Sequence, residues 1–197
     1  MKKTFPILSL AAAAALAAFL PGCSTNTQGE DAAPVFLTGS FDVLPAAKSV
    51  SSGSALAFNT TTLRNRLKTT GVSSLTFLDV QCEIYLVSWT RLNGGTVASP
   101  SEQFGCPIIV PANGASTLTN YEYMTASNLI KPPLDQLFPF NGGIDHETGK
   151  SEIDQMGHVK WYGHTLSGQP VESVEATFNM VFFYGGSAGR VEGRLVR

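Results

Sequence analysis

The chain has 197 residues, with 13 Lys and Arg against 15 Asp and Glu and a formal net charge of −2 at pH 7. The charges are scattered along the sequence and form no basic stripe, which argues against nucleic acid as a partner. Outside an apolar N-terminal run, the length suffices for one domain with a sizeable core.

The first residues have the layout of an export signal. Met1-Lys2-Lys3 is a positively charged start, and residues 5–19 form an apolar segment. This segment is shorter than the roughly 20 residues that span a bilayer, and Pro21-Gly22 interrupts it, which argues against a transmembrane helix. An ordinary secretory signal is the other alternative, but residues 17–19 offer no A-x-A-like cleavage site at the right spacing.

The motif Leu20-Pro21-Gly22-Cys23 ends this segment and resembles the lipobox of bacterial lipoproteins. The resemblance implies that a signal peptide at residues 1–22 is removed and that Cys23 receives palmitate-type acyl chains. Two or three such chains hold a protein at a membrane far more firmly than one. Ser24, in place of an aspartate, favours the outer membrane by the same resemblance. The implied location is the bacterial cell envelope, with the membrane bound through the N-terminal lipid.

Residues 23–34 are rich in Ser, Thr, Asn, Gln and Gly. This composition is typical of a flexible linker. We therefore expect a tether from the acylated Cys23 over residues 23–34, followed by one folded domain at residues 35–197.

Short alternating stretches rich in β-branched and aromatic residues predict β-strands in that domain. A first edge strand is expected within residues 35–44, and further strands at 62–67, 74–91, 107–110, 116–124, 153–165 and 174–184. In the stretch 74–91, Cys82 and Tyr85 belong to opposite phases of the alternation. A β-bulge near Glu83-Ile84, or burial on both faces, would explain this. One helical turn is predicted at residues 132–137, opened by proline.

Strands separated by turn signals, with few helical segments, predict an all-β fold, a single antiparallel β-sandwich. Over roughly residues 55–185 the pattern resembles immunoglobulin-like and fibronectin-type modules of exported bacterial proteins. Cys82, Trp89 and Cys106 occur in the order found in true immunoglobulin domains, but they span too few residues for that inter-sheet bridge. The expectation is therefore limited to an immunoglobulin-like sandwich, with a jelly roll or small barrel as the alternative.

Cys82 and Cys106 are an even pair in an exported chain, which predicts a disulfide. The bridge would close a loop of about 25 residues and stabilise the fold by roughly 3 kcal/mol in the chain-entropy picture. Two buried thiols that never meet are the alternative.

Acidic residues around a glycine-rich turn are the weak candidates for a metal site: Asp145, Glu147 and, between them, His146. Their spacing is not that of a calcium loop, and a solvated turn is the alternative. His158 and His164 lie six residues apart on one predicted strand, too far to share a metal ion without a bend. No cofactor is expected.

Residues 185–189 match G-x-S-x-G, the nucleophile-elbow pattern. That elbow needs a strand-to-helix turn and a later histidine, and no histidine follows in this sequence. A flexible glycine turn explains the segment equally well.

The sequence thus favours a non-catalytic, lipid-anchored envelope lipoprotein that presents sandwich loops to a protein or glycan partner. The alternative is an envelope enzyme or metal-dependent glycan binder using residues 141–165. That alternative requires two acids and a histidine that converge beside an aromatic cleft. A third hypothesis is carriage of a hydrophobic ligand in a cavity between the sheets.

Overall fold

The computed structural model describes residues 33–42, 47–69 and 75–185. The lipobox, Cys23, most of the predicted tether and the serine of the G-x-S-x-G motif lie outside the described residues. Ala33 and Pro34 are therefore the first residues of the chain whose contacts with the domain are described.

The described residues contain nine β-strands, five short 3-10 helices and no α-helix. The strands are β1 (Val35–Phe41), β2 (Ala47–Ser49), β3 (Leu56–Leu67), β4 (Val80–Arg91), β5 (Glu102–Val110), β6 (Ala115–Met124), β7 (Glu152–Thr165), β8 (Pro170–Val174) and β9 (Ala176–Phe183). The 3-10 helices are Val50–Ser52, Thr76–Leu78, Asn128–Ile130, Leu134–Leu137 and Pro139–Asn141. The predicted helical turn is confirmed by the fourth of these, which Pro133 precedes as the cap.

The strands pack as two layers, which confirms the all-β, sandwich-like architecture. One layer has the order β6-β3-β1-β8, and the other has the order β5-β4-β7-β9-β2. β8 also pairs with the end of β7, so it joins the layers at one side.

Two short pairings, β1 with β8 and β2 with β9, are parallel. The sheet is therefore mixed, whereas the sequence pattern predicts an antiparallel sandwich. The expectation of a first edge strand is also wrong, because β1 lies between β3 and β8. Alternation of side chains shows which face of a strand is buried, but it carries no information on strand direction or on sheet order.

The predicted bulge in β4 is confirmed. The pairing register of β4 shifts between Cys82 and Ile84 against both β5 and β7. As a result Val80 and Cys82 face the core on one side of the bulge, and Tyr85 and Val87 face it on the other.

The core between the layers is aromatic. The ring centroid of Phe58 on β3 lies 5.0 Å from that of Phe178 on β9, and the ring centroid of Trp89 on β4 lies 5.4 Å from that of Phe178. Alternation along residues 178–184 predicts one shared face for Phe178, Met180, Phe182 and Tyr184. The first three are buried, whereas Tyr184, just after β9, is 44% exposed.

The loops define two opposite ends of the domain. At the first, Val35 pairs with Leu67, and the Lys68 amide donates to the Pro34 carbonyl at 2.9 Å. We call this the tether end, because the chain enters the domain here. At the other, which we call the far end, β4, β6 and β9 finish at Arg91, Met124 and Phe183.

Candidate functional site

The longest connection in the described chain, residues 125–151 between β6 and β7, lies at the far end. It contains three of the 3-10 helices, and buried Leu129, Leu134 and Leu137 attach it to the core. The segment is therefore a packed part of the domain, held by apolar burial at intervals along its length.

A buried ion pair fixes the end of this segment to the β4–β5 connection. Arg91 Nη2 lies 2.5 Å from Asp145 Oδ2, and the exposed fractions of the two side chains are 2% and 0%. Asp145 also accepts from the Thr148 hydroxyl at 2.5 Å and from the Glu147 amide at 3.3 Å. Burial alone would raise the pKa of Asp145, but the hydrogen bonds from Thr148 and Arg91 hold it below its ordinary value.

Glu147 joins the same network from the partly exposed side. Its carboxylate accepts from the amides of Thr96 and Val97 at 2.8 and 3.0 Å, and from the Thr96 hydroxyl. Arg91 Nη1 lies 3.5 Å from Glu147 Oε2. The hydrogen bonds from Thr96 and Val97 lower the pKa of Glu147.

His146 does not face these carboxylates. Its amide donates to Gln136 Oε1 at 2.8 Å, and its Nε2 lies 3.1 Å from the Asn141 carbonyl. Asp145, His146 and Glu147, adjacent in sequence, therefore have separate partners. In the ranges that the structure covers, no group of three or more His, Cys, Asp or Glu side chains is arranged to hold a metal ion.

Sequence reasoning missed Arg91 as the partner of these acids. It lies 54 residues from Asp145 in the chain, and no local pattern links the two. The sequence offered only a general indication of this pair: a basic residue at the end of a long buried strand needs an acidic partner when its side chain is buried.

The far end also carries exposed apolar side chains. Phe140 is 80% exposed, and its ring centroid lies 5.3 Å from that of Phe138, which in turn lies 5.4 Å from Tyr184. Ile130 and Ile144, from the same connection, are exposed as well. We call these five residues the far-end surface. A contiguous exposed apolar patch is typical of an interaction site, and the ring contacts of Phe138, Phe140 and Tyr184 form its centre here.

The other two histidines have unrelated partners on the outer face of the layer that contains β4 and β7. His158 Nδ1 lies 2.7 Å from Glu175 Oε1, and its Nε2 lies 2.9 Å from the Thr90 hydroxyl. His164 Nδ1 lies 3.3 Å from Glu83 Oε1. The order hydroxyl, imidazole, carboxylate at Thr90, His158 and Glu175 was not visible in the sequence, because three separate elements supply it.

Cys82 and Cys106 come from the paired strands β4 and β5, and both are buried. They are unbridged here, and the Cys82 thiol donates to the Ile84 carbonyl at 3.8 Å. The neighbouring Cys106 side chain and burial raise the pKa of the Cys82 thiol. The register places the two cysteines close to each other on paired strands at the bulge.

Two shallow cavities lie away from the far end. One, of about 260 Å³, is lined by residues of β4, β7 and β8, including Glu83, Tyr162 and Glu172. The other, of about 230 Å³, lies where Tyr85 and Phe104 meet Tyr121 of β6. Both are smaller than the roughly 300 Å³ at which ligand pockets usually begin.

Among the residues that the structure describes, no helix has the length and apolar character needed to cross a bilayer. Comparisons of the chain with protein-family models, with curated proteins and with solved structures found no match.

Proposed function

We propose that this protein is a non-catalytic, lipid-anchored envelope lipoprotein that presents its far-end surface to a partner protein. The observation that carries the proposal is the opposition of the two ends. The chain enters the domain at Pro34, beside Leu67 and Lys68. The far-end surface and the Arg91–Asp145 pair lie at the opposite end of the strands.

This arrangement suits an anchor at Cys23. A lipid attached before residue 33 holds the tether end near the membrane and directs residues 125–151 away from it. The lipobox resemblance supports the anchor, and the serine after Cys23 favours the outer membrane.

A protein partner is favoured over a glycan because the far-end surface is apolar. Phe140 is exposed, and it packs against Phe138, which is itself partly buried against the core. The exposed aromatic ring is therefore held in place by a ring that belongs to the domain. Aromatic anchors of this kind are enriched where proteins bind proteins.

The exported location also supports a disulfide between Cys82 and Cys106. Its formation would release two protons and pass two electrons to a disulfide-type oxidant of the envelope, which is reduced to two thiols. Because the two cysteines are buried on paired strands, the bridge would join β4 to β5 covalently at the bulge.

The anchor is tested by intact-mass measurement of the chain extracted from membranes, beside a Cys23→Ala variant. We expect the mass of residues 23–197 plus acyl groups, and loss of that species in the variant. A soluble, unacylated wild-type chain would contradict the lipoprotein assignment.

The partner surface is tested by photo-crosslinking in intact cells from position 140, with position 119 on β6 as the control. Thr119 is exposed but lies away from the far-end surface. We expect a discrete protease-sensitive adduct from position 140 only. An adduct that a peptidoglycan hydrolase removes would identify a glycan instead, and equal adducts from both positions would refute a specific surface.

The alternative is an envelope enzyme or metal-dependent glycan binder that uses residues 141–165. One observation favours the enzyme: Thr90, His158 and Glu175 lie in the order found in hydroxyl–imidazole–carboxylate hydrolases. Against it, Thr90 on β4 and Glu175 between β8 and β9 are both exposed, so water has free access to them. Hydrolysis of a chromogenic acetate ester decides the matter. Equal background rates for wild type and His158→Gln favour the non-catalytic function, and a rate lost in the variant favours the enzyme.

A further inference from the structure

Three basic side chains form a row at the tether end of β3. Arg64 and Arg66 are exposed and alternate with the buried residues Leu63 and Asn65, so both project from the outer face of their layer. Lys68 continues the same alternation just after the strand. The three residues fall within five consecutive positions of a sequence whose other charges are scattered, and the strand period of two places them on one face.

An aromatic ring lies within this row. Phe36 of β1 is directly opposite Arg66 and is 50% exposed, and Lys68 Nζ lies 4.9 Å from the centre of its ring. We call Phe36, Arg64, Arg66 and Lys68 the basic face. Aromatic and basic side chains together are typical of surfaces that meet lipid headgroups.

The cross-strand neighbours of the two arginines add no negative charge. Arg64 lies opposite Thr38 on β1 and Ala115 on β6. Neither Arg64 nor Arg66 takes part in the ion pairs found among the described residues. The basic face is thus a local positive region on a chain whose net charge is negative.

The basic face lies beside the point where the chain enters the domain. The Lys68 amide donates to Pro34, two residues before Phe36. Phe77, 49% exposed, belongs to the same end, since the adjoining Leu78 carbonyl accepts from Asn65 Nδ2 at 2.9 Å. If the N-terminal segment is anchored in a membrane, the headgroups of that membrane are therefore the anionic surface closest to Arg64, Arg66 and Lys68.

We propose that the basic face docks on the anionic phosphate headgroups of the membrane in which Cys23 is anchored. This inference rests on the proposed lipid anchor. Each Lys or Arg at an anionic bilayer surface strengthens binding by roughly fivefold, and the effect fades over about 10 Å at moderate salt. The lipid anchor keeps the domain at that membrane, and docking then lays the tether end of the outer face of the β3 layer against the headgroups.

The test uses the chain from residue 23 onward with Cys23→Ser, which cannot be acylated. Its sedimentation is measured with vesicles of phosphatidylcholine, alone or mixed with phosphatidylglycerol. We expect binding to the mixed vesicles only, weakened by salt. The double variant Arg64→Gln/Arg66→Gln should bind roughly 25-fold more weakly, by two charges at about fivefold each.

The matched control is Lys48→Gln/Lys150→Gln, which removes the same charge from two other exposed positions. It should bind like the parent chain. Equal weakening of both double variants, no binding to mixed vesicles, or binding to the soluble polyanion heparin without binding to vesicles would each overturn the inference. Unchanged thermal unfolding of the Arg variant shows that it remains folded, as expected for two exposed side chains.

The outcome is separable from the fate of the anchor. If the wild-type chain is acylated but its Cys23→Ser form does not bind mixed vesicles, the proposed role of the basic face is wrong and the lipoprotein proposal stands. If the wild-type chain carries no acyl groups but its Cys23→Ser form binds these vesicles, the basic face binds headgroups and the lipoprotein proposal is wrong.

Discussion

Arg91 and Asp145 form a buried ion pair, 2.5 Å apart, between the end of β4 and the connection from β6 to β7. The guanidinium also donates to Asn93 Oδ1 and to the Val97 carbonyl. One cation therefore links the turn after β4 to the last part of the segment that carries the far-end surface.

Replacing Asp145 with Asn should destabilise the domain by about 3 kcal/mol, because a buried guanidinium loses its closest counter-charge. Urea unfolding measures the change. Glu172→Gln is the control, since its Lys160 partner is about one-third exposed and such pairs contribute about 0–1 kcal/mol. A similar loss of unfolding free energy in the two variants would mean that the buried Arg91–Asp145 pair stabilises the domain no more than an exposed pair does.

The same network predicts sensitivity to acid. The pKa of Asp145 and that of Glu147 both lie below their ordinary values, so the folded state binds fewer protons than the unfolded state in acid. Their contribution is fully present above about pH 5 and is lost as pH falls through the folded values, below about pH 4. Urea midpoints measured from neutral pH to pH 3 should fall steeply for wild type and less steeply for Asp145→Asn. Parallel curves would contradict this origin of the acid sensitivity.

Gly39 of β1 is required by the packing of Trp161. A Cβ at position 39 would overlap the indole ring of this buried tryptophan. Gly39→Ala should therefore destabilise the domain by about 1–3 kcal/mol through overpacking. Gly105→Ala, where a Cβ meets nothing within 4 Å, should be neutral or slightly stabilising. Thermal unfolding of the pair separates a steric effect from a general glycine effect, and equal behaviour would exclude the steric one.

Protein purified from the envelope should carry the Cys82–Cys106 bridge. In denaturant without reductant, neither residue should react with iodoacetamide, and both should react once a reductant is added. Denaturant is needed because the two thiols are buried in the folded state. We expect the bridge to add roughly 3 kcal/mol of stability, measured as the shift in urea midpoint on reduction. Labelling of both cysteines without reductant would show that they stay as thiols.

Features that depend on neighbouring residues in the chain were predictable. The alternation in residues 74–91 located both β4 and its bulge at Glu83-Ile84, because one extra residue in a strand inverts the phase of a period of two. The prolines at 132–133 predicted the short helical turn. The alternation that ends at Tyr184 predicted the burial of Phe178, Met180 and Phe182, but it was wrong for Tyr184 itself, which lies beyond the end of β9 and is exposed. The lipobox resemblance also depends on four consecutive residues, but these lie outside the described residues, so the lipid anchor stays a prediction.

Features that depend on which strands meet were not predictable. The parallel pairing of β8 with β1, the interior position of β1 and the partner of Asp145 all join residues far apart in the sequence. Asp145 and Glu147 resembled metal ligands in the sequence because their competing donors, Arg91 and Thr96, lie some 50 residues away. Local periodicity fixes which face of each strand is apolar. Only closure of the two layers decides strand order, which buried charges find partners, and that the chain enters at the opposite end from Phe140 and Tyr184.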